Sequence, residues 1–402
     1  MISVNQALDE ILEVVKPLAG ERVSLFEASG RVLAEDILSR RDVPPFTNSA
    51  MDGYALRHED TIDATEDSPI TLQVLEVIQA GRVPAKEIRA GTASKIMTGA
   101  IFPNGANAVV KVEDTSERNR SVLIKTHASK GSNIRNSGED IRSGQTILKR
   151  GRVLLPADIG LLASVGRAFV LVHQIPKVAI LSTGDELSEV DVPLSPGQIV
   201  NSNAYTLAAA VREAGAQPVP LAIAQDTMDA THSALEEALR HNVVLSTGGV
   251  SVGDFDFVKS AMDQIGIKRL FWKIAQKPGN PLTFGVRGDH LYFGLPGNPV
   301  SALVCFYLYV APALRRMAGF RKIFFPTVEV TMAEKIKEAK GLTEFIRCKL
   351  TRRVNGREAQ LTGTQSSGAL SSLSLGDSLV IGDADKDVLA EGTKAMAIIL
   401  DR

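Results

Sequence analysis

The chain has 402 residues, more than one ordinary domain holds, and length alone predicts two to four domains. Hydrophobic residues make up 44% and charged residues 23%, the formal net charge is -1, and Lys and Arg are scattered along the chain. This excludes the electrostatic footprint of a nucleic-acid or anionic-membrane binder.

In chain order, Ser3 is placed to cap a helix with apolar positions at Val4, Ala7, Leu8, Ile11, Leu12 and Val15, a helical period ended by Pro17 and Gly20. The start lacks the basic end and apolar block of a signal peptide. A second helix is expected over Leu25 to Leu33, before Pro44-Pro45 breaks the pattern. From about 50 to 145 the signal becomes short β runs, Leu72–Ile78, Ala108–Val112 and Val122–Thr126, with Asn104-Gly105 and Ser137-Gly138 as turns. Arg150 to Pro156 reads as strand and turn, and Asp158 as the cap of a short helix through Val165; this piece is expected to pack back on the first 44 residues.

From 177 to about 320 strands and helices alternate: strand 178–182, helix 204–214 stopped by Gly215, strand 217–224, helix 228–240, strand 243–247, helix 254–264, strands near 270–275, 282–286 and 291–294, and helix 299–317. Such alternation demands right-handed crossovers and a largely parallel sheet covered on both faces. The longest apolar stretch, Val300 to Leu314, is shorter than the ~20 residues that span a bilayer and reads as a buried helix, so a cytoplasmic protein with no membrane partner is expected. The last 80 or so residues return to β runs at Thr327–Met332, Phe345–Thr351, Ala359–Leu361, Ser378–Ile381 and Ala395–Leu400. The expected class is α/β multidomain: a central doubly wound, mostly parallel sheet with additional helical/β and small β-barrel-like domains. The expected boundaries are 1–44 plus 143–175, 45–142, 176–325 and 326–402. Cys305 falls in an apolar helical run and Cys348 in an alternating strand; neither has metal-ligand or disulfide spacing, and both are expected in the core.

Three apolar strands of the central region end in small hydroxyl residues and glycines: at Thr183, Gly184 and Asp185; at Ser246, Thr247, Gly248, Gly249 and Ser251; and at Pro296, Gly297, Asn298 and Pro299. Glycine lets backbone N–H groups approach a ligand, and a helix start offers unpaired donors, so these turns suit an extended, phosphorylated anion at the carboxyl edge of one sheet. Each is expected to lead into a helix, the third with Asn298 as N-cap and Pro299 at N1. Asp185, Glu186, Asp226, Asp254 and Asp256 lie in or beside these turns, where a pure anion trap would avoid them; a divalent metal, Mg²⁺, is therefore expected to mediate. Asp226 follows strand 217–224, at the ligand crevice of such a sheet, and equally fits a helix cap. Lys273 and Lys277 flank a turn, placed either on a solvated surface or against an oxyanion. The run Gly363 to Gly368, with Ser366 and Ser367, holds a tetrahedral oxyanion or forms a plain loop. The chain has no GxxxxGK[ST], which excludes a P-loop kinase.

In this order and spacing, Pro45 to Ala55, Lys95 to Ala100, Asn133 to Ile141, Ser182 to Leu187, Ser246 to Gly253, Lys277-Pro-Gly and Leu295 to Ser301 closely resemble molybdopterin molybdenumtransferase, the MoeA family, which includes the E domain of gephyrin. The resemblance spans nearly the whole chain. It implies a molybdopterin-binding type of central domain and an elongated four-domain homodimer, with 1–44 plus 143–175 as the extended linker and dimerisation domain. It also implies metal-dependent cleavage of adenylylated molybdopterin, with molybdate as second substrate, giving molybdenum cofactor and AMP. Asp52 and Thr98 would face the cleft from the partner subunit; Glu186, Asp226 and Asp256 would be the acidic, metal-linked group. Lys273, Lys277, Pro296 and Pro299 would line the phosphate and molybdate region, and Arg347 with Ser366 or Ser367 would bind molybdate. Implied partners are a molybdopterin adenylyltransferase and molybdoenzyme chaperones. Thr47, Asn107 and Asn280 depart from Asp, Asp and Lys common in the family. A gephyrin-like scaffold and a molybdopterin adenylyltransferase are the alternative readings.

Overall fold

The apolar runs between 177 and 295 join in one six-stranded sheet in the computed structural model of the chain, which describes residues 1–248, 257–354 and 356–400. By contacts the chain forms two units, Arg22–Leu171, and Met1–Glu21 with Val172–Arg402.

In the larger unit, helix α1 (Val4–Val14) is capped by Ser3, whose side chain accepts from the Gln6 N–H. The sheet comprises β1 (Lys177–Ser182), β2 (Gln217–Pro220), β3 (Val243–Thr247), β4 (Lys268–Trp272), β5 (Thr283–Arg287) and β6 (His290–Leu295), in the order β2-β1-β3-β6-β5-β4. The first four are mutually parallel, while β5 runs antiparallel to both β6 and β4. Pro218 and Pro220 sit in β2, an edge strand, where a missing N–H breaks no inner ladder.

Side chains alternate between two cores. Val178, Ile180, Leu245 and Phe293 pack with α2 (Ser202–Glu213) and α5 (Pro299–Met317). Ala179, Leu181, Val244 and Tyr292 pack with α3 (Met228–Ala238) and α4 (Phe257–Ile265). The sheet is thus covered on both faces, and each buried aliphatic contributes about 1.5–3 kcal/mol. Helix α5 is long and apolar enough to cross a membrane, but 89% of its most apolar window is buried inside the fold, which makes it a core helix. Its Phe306–Val310 segment is π-helical, and the Ala311 N–H reaches back to the Phe306 carbonyl. The wider turn precedes Pro312, which lacks an N–H and whose ring would crowd a regular helix. Cys305 and Cys348 are buried free thiols, as expected, and burial raises the pKa of both, that of Cys348 to about 12.

The C-terminal runs are β7 (Thr327–Met332), β8 (Thr343–Arg353), β9 (Gly356–Leu361), β10 (Ser378–Ile381) and β11 (Lys394–Ile399). They pair in the order β8-β9-β7-β11-β10, and β10 pairs again with β8. A closed five-stranded barrel results, filled by Val330, Met332, Ile346, Cys348 and Val380, and closure leaves no open edge. The short strand Gln276–Lys277 adds to β8 in parallel, with Lys277 opposite Glu344.

In the smaller unit, a six-stranded sheet takes the order 108–111, 53–56, 92–96, 70–78, 121–124, 115–118 around Tyr54, Leu56, Leu72, Ala93 and Val110. Residues 30–39 bond to 145–154 through Gly30 to Leu154, Leu33 to Arg152 and Ser39 to Gln145. That pairing overturns the expected helix over Leu25 to Leu33: only a 3-10 turn, Leu25–Glu27, forms, because Gly30 is left-handed and Val32 bridges Val153. Asp158 is not an N-cap either. The helix begins at Pro156, and Asp158 in its first turn accepts from the Leu155 N–H at 3.0 Å and Arg152 Nε at 2.9 Å.

Candidate functional site

The strand ends that the sequence singles out lie side by side. Ser182 of β1 pairs with Thr247 of β3, and Thr247 with Leu295 of β6, so three adjacent parallel strands terminate at one level. The turns beyond them are knitted together: the Thr183 N–H donates to the Thr247 carbonyl at 3.1 Å, and the Gly184 N–H to Ala224 at 3.3 Å. Gly248 has φ +92, and a Cβ there would stand 2.5 Å from the Thr183 carbonyl oxygen, so the close approach admits only glycine. Thr183, Glu186, Thr247, Gly248, Pro296, Gly297, Asn298 and Pro299 line a cleft of about 450 Å³.

Several expectations need correction. The first turn does not enter a helix directly; residues 187–188 and 199–200 pair in parallel first, and α2 starts at Ser202 with Asn201 as N-cap. Ser246 faces inward, fully buried and bonded to the Tyr292 hydroxyl at 2.6 Å, so it does not line the cleft. Asn298 is at the N-cap position of α5 without capping it; its amide donates instead to Ser367 Oγ at 3.0 Å. Gly249, Ser251, Asp254 and Asp256 lie outside the described residues.

Two residues that pattern reading missed also line the cleft. Asn201 accepts from Ser182 Oγ at 3.1 Å, and Asn203 donates to the Gly297 carbonyl at 2.7 Å, bracing the first and third turns. Asn201 at the start of the Asn-Ser-Asn run was the available signal, since asparagine is a preferred N-cap residue.

Asp226 is not a helix cap: Thr227 holds that position and accepts from the Ala230 N–H. The Asp226 N–H donates to Asp185 Oδ1 at 3.2 Å. Burial pushes the Asp226 carboxyl above its ordinary range, a backbone hydrogen bond at Asp185 opposes this, and the charges of Asp185 and Glu186 push it further up. The Glu186 carboxylate folds over Gly184, 2.5 Å from where a Cβ would stand. Among the described residues no group of three or more His, Cys, Asp or Glu is gathered to hold a metal ion. Asp185, Glu186 and Asp226 nonetheless repel one another, which a hard divalent cation would relieve.

Two basic residues are tied to the barrel and its 363–368 loop. The Lys277 ammonium pairs with Glu344 of β8 at 3.0 Å, with the Lys side chain half exposed and the Glu side chain buried. Beneath the turn, Gln276 accepts from the Tyr309 hydroxyl and donates to the Pro278 carbonyl at 2.9 Å. Asn280, where lysine is common, closes this turn by donating to the Ile274 carbonyl at 2.8 Å. Arg347 is buried at 2% exposure, and its guanidinium donates to Ser372 Oγ and to the carbonyls of Thr364 and Ser366 at 3.2, 3.4 and 3.1 Å. It therefore braces the 363–368 loop from inside, and burial lowers its pKa. The same loop meets the third turn, because the Val300 N–H donates to the Ser367 carbonyl at 3.1 Å.

In the smaller unit, Asp52 Oδ1 accepts from the Thr98 N–H at 2.6 Å and from the Thr98 hydroxyl at 2.7 Å. These bonds hold the Asp52 carboxyl below the ordinary carboxylate range. Asn107 donates to the Glu59 carboxylate at 3.0 Å, where an aspartate would repel it, and the Thr47 hydroxyl accepts from the Ser137 N–H at 3.3 Å.

A mostly parallel α/β sheet with hydroxyl- and glycine-bearing turns at its carboxyl edge, followed by a closed β-barrel, defines a multidomain α/β protein of the molybdopterin-binding type. Residues 2–166 match the MoeA N-terminal region (domain I and II), 179–316 a probable molybdopterin binding domain, and 329–400 the MoeA C-terminal region (domain IV). The chain belongs to the molybdopterin molybdenumtransferase (MoeA) family of enzymes. It is 35% identical over 381 residues to a Staphylococcus aureus molybdopterin molybdenumtransferase, covering 94% of this chain and 91% of that one. It is 39% identical over 355 residues to molybdopterin molybdenumtransferase 2 of Mycobacterium tuberculosis, covering 86% and 87%. The crystal structure of a molybdopterin biosynthesis MoeA protein from Pyrococcus horikosii superposes with a TM-score of 0.86 at 32% identity, covering 100% of both chains.

Proposed function

We propose that this enzyme transfers molybdenum from molybdate to molybdopterin, taking adenylylated molybdopterin as the organic substrate and releasing AMP. The observation that carries this is the alignment of three amide-rich turns at one sheet edge, with the Ser367 loop bonded to the third of them. Both substrates are anions. Thr183, Gly184, Thr247, Gly248, Gly297 and the start of α5 would hold the phosphates, and Gly249 and Ser251 would act with them. Lys277, Asn298, Ser366 and Ser367 would hold molybdate, and Arg347 would keep their loop in shape. Lys273 would add positive charge, and Pro296 and Pro299 would fix the third turn.

The mutual repulsion of Asp185, Glu186 and Asp226, with the Asp226 carboxyl pushed up by burial, supports a divalent cation at this edge. Glu186, Asp226 and Asp256 would hold Mg²⁺, which would neutralise these carboxylates and polarise the pyrophosphate link to the adenylate. The protein's own contribution is positioning: gathering two anions against their repulsion lowers the entropic and electrostatic cost of meeting. Asp52 and Thr98 would complete the site in a homodimer, each subunit offering this pair to its partner, in the four-domain layout outlined above. Purified protein incubated with adenylylated molybdopterin, molybdate and Mg²⁺ should release AMP and molybdenum cofactor. Absence of AMP release at every molybdate concentration would contradict the proposal.

A further inference from the structure

A fourth strand reaches the same sheet edge. β4 runs parallel to β6, because both are antiparallel to β5, so its last residue, Trp272, leaves the carboxyl edge just as Ser182, Thr247 and Leu295 do. Trp272 pairs with Thr283, Thr283 with Gly294, and Gly294 with Ser246, which places Trp272 in one row with the phosphate-type turns. At ~4.8 Å between strands it stands about 10 Å from β6, within the span of an extended anion.

The next residue, Lys273, has φ 70. Among the described residues the other non-glycine positions with positive φ are two asparagines, which tolerate it. The surroundings impose this conformation: the Lys273 N–H donates to Leu282 at 3.1 Å, and its carbonyl accepts from the Ile2 N–H at 3.3 Å. Glycine would sit here without strain, so a lysine is held in a costly conformation. Its ammonium lies over the Trp272 ring, 4.3 Å from the centroid, and Trp272 is 37% exposed. The indole face gives the flexible side chain a fixed resting place at the edge where the anion binds.

We propose that Trp272 is a positioning residue for Lys273, setting its ammonium as the outermost cation of the phosphate-binding edge. This rests on the anion-binding reading of the cleft above. Because Trp272 is the chain's only tryptophan, tryptophan emission reports the surroundings of this one indole.

The test titrates the full chain with sodium pyrophosphate, following tryptophan emission and, in parallel, heat of binding. Wild type should bind with a saturable change in emission. Lys273→Gly should abolish the emission change and weaken binding while leaving the thermal midpoint unchanged or raised, since strain is relieved. Trp272→Leu should weaken binding about two- to fivefold, the range of an exposed cation–π contact, and Trp272→Phe less, with unchanged circular dichroism. Wild-type binding with silent emission, or variants that bind pyrophosphate as wild type does, would overturn the inference and leave the cleft's reading intact. A Lys273→Gly variant that loses thermal stability but not affinity would equally overturn it. No binding by wild type would overturn the anion reading itself.

Discussion

Replacing Lys277 by methionine separates the two jobs assigned to that ammonium, as a tie to the barrel and as an anion ligand. The pair with Glu344 is 3.0 Å long, with the lysine side chain 53% and the glutamate side chain 7% exposed. At that separation Coulomb's law gives ~1.4 kcal/mol in water and ~5.5 kcal/mol at an effective dielectric of 20, and the half-exposed lysine places the pair near the lower figure. Glu344 would keep its bond from the Ala339 N–H at 2.7 Å but lose its cation. Lys277→Met should therefore cost about 1–2 kcal/mol, lowering the midpoint of this unit by roughly 2–5 °C. The double variant Lys277→Met/Glu344→Gln should recover most of that, because a neutral amide needs no counter-ion. Scanning calorimetry measures the first effect, and calorimetric titration with molybdate the second. Molybdate affinity should stay lost in both variants. A double variant as unstable as the single one would refute the ion-pair reasoning, and unchanged molybdate affinity in Lys277→Met would refute the ligand assignment.

Asp226→Ala should lower kcat/KM for AMP release at least about 100-fold with unchanged circular dichroism, since it removes a carboxylate proposed to hold Mg²⁺ and no helix cap. Gly248→Ala forces a Cβ against the Thr183 carbonyl oxygen at positive φ and should destabilise by roughly 2–3 kcal/mol, read by chemical denaturation. The Asp52 carboxyl is depressed in the folded state by its bonds from Thr98. Its stabilising contribution is thus present above the unfolded carboxylate pKa and disappears as pH falls through the lower folded value. Asp52→Asn should lower stability at neutral pH and remove that acid-limb dependence, so that the unfolding curves of variant and wild type converge in acid.

Local chemistry carried much of the fold into view from sequence. The strands of the α/β domain are apolar runs that stop at small residues, and α5 announces itself by Asn298-Pro299 and an unbroken apolar stretch. The three turns were legible because strand, hydroxyl and glycine are adjacent in the chain. What stayed hidden depends on residues far apart in sequence. Val32 bridging Val153 turned an expected helix into an extended segment. Thr227, not Asp226, caps α3, a one-residue difference that propensity does not resolve. The inward course of Arg347 and the partnership of Lys277 with Glu344 require the barrel to close and Gln276–Lys277 to pair with β8. Trp272 passed unnoticed because its place at the binding edge depends on the direction of β4 within the sheet.

Soaking a crystal with molybdate and locating the molybdenum by its anomalous scattering tests the anion pocket most directly. The account predicts a peak bounded by Lys277, Asn298 and Ser367, at the mouth of the three turns. A peak confined to other surfaces, or none at saturating molybdate, would contradict it.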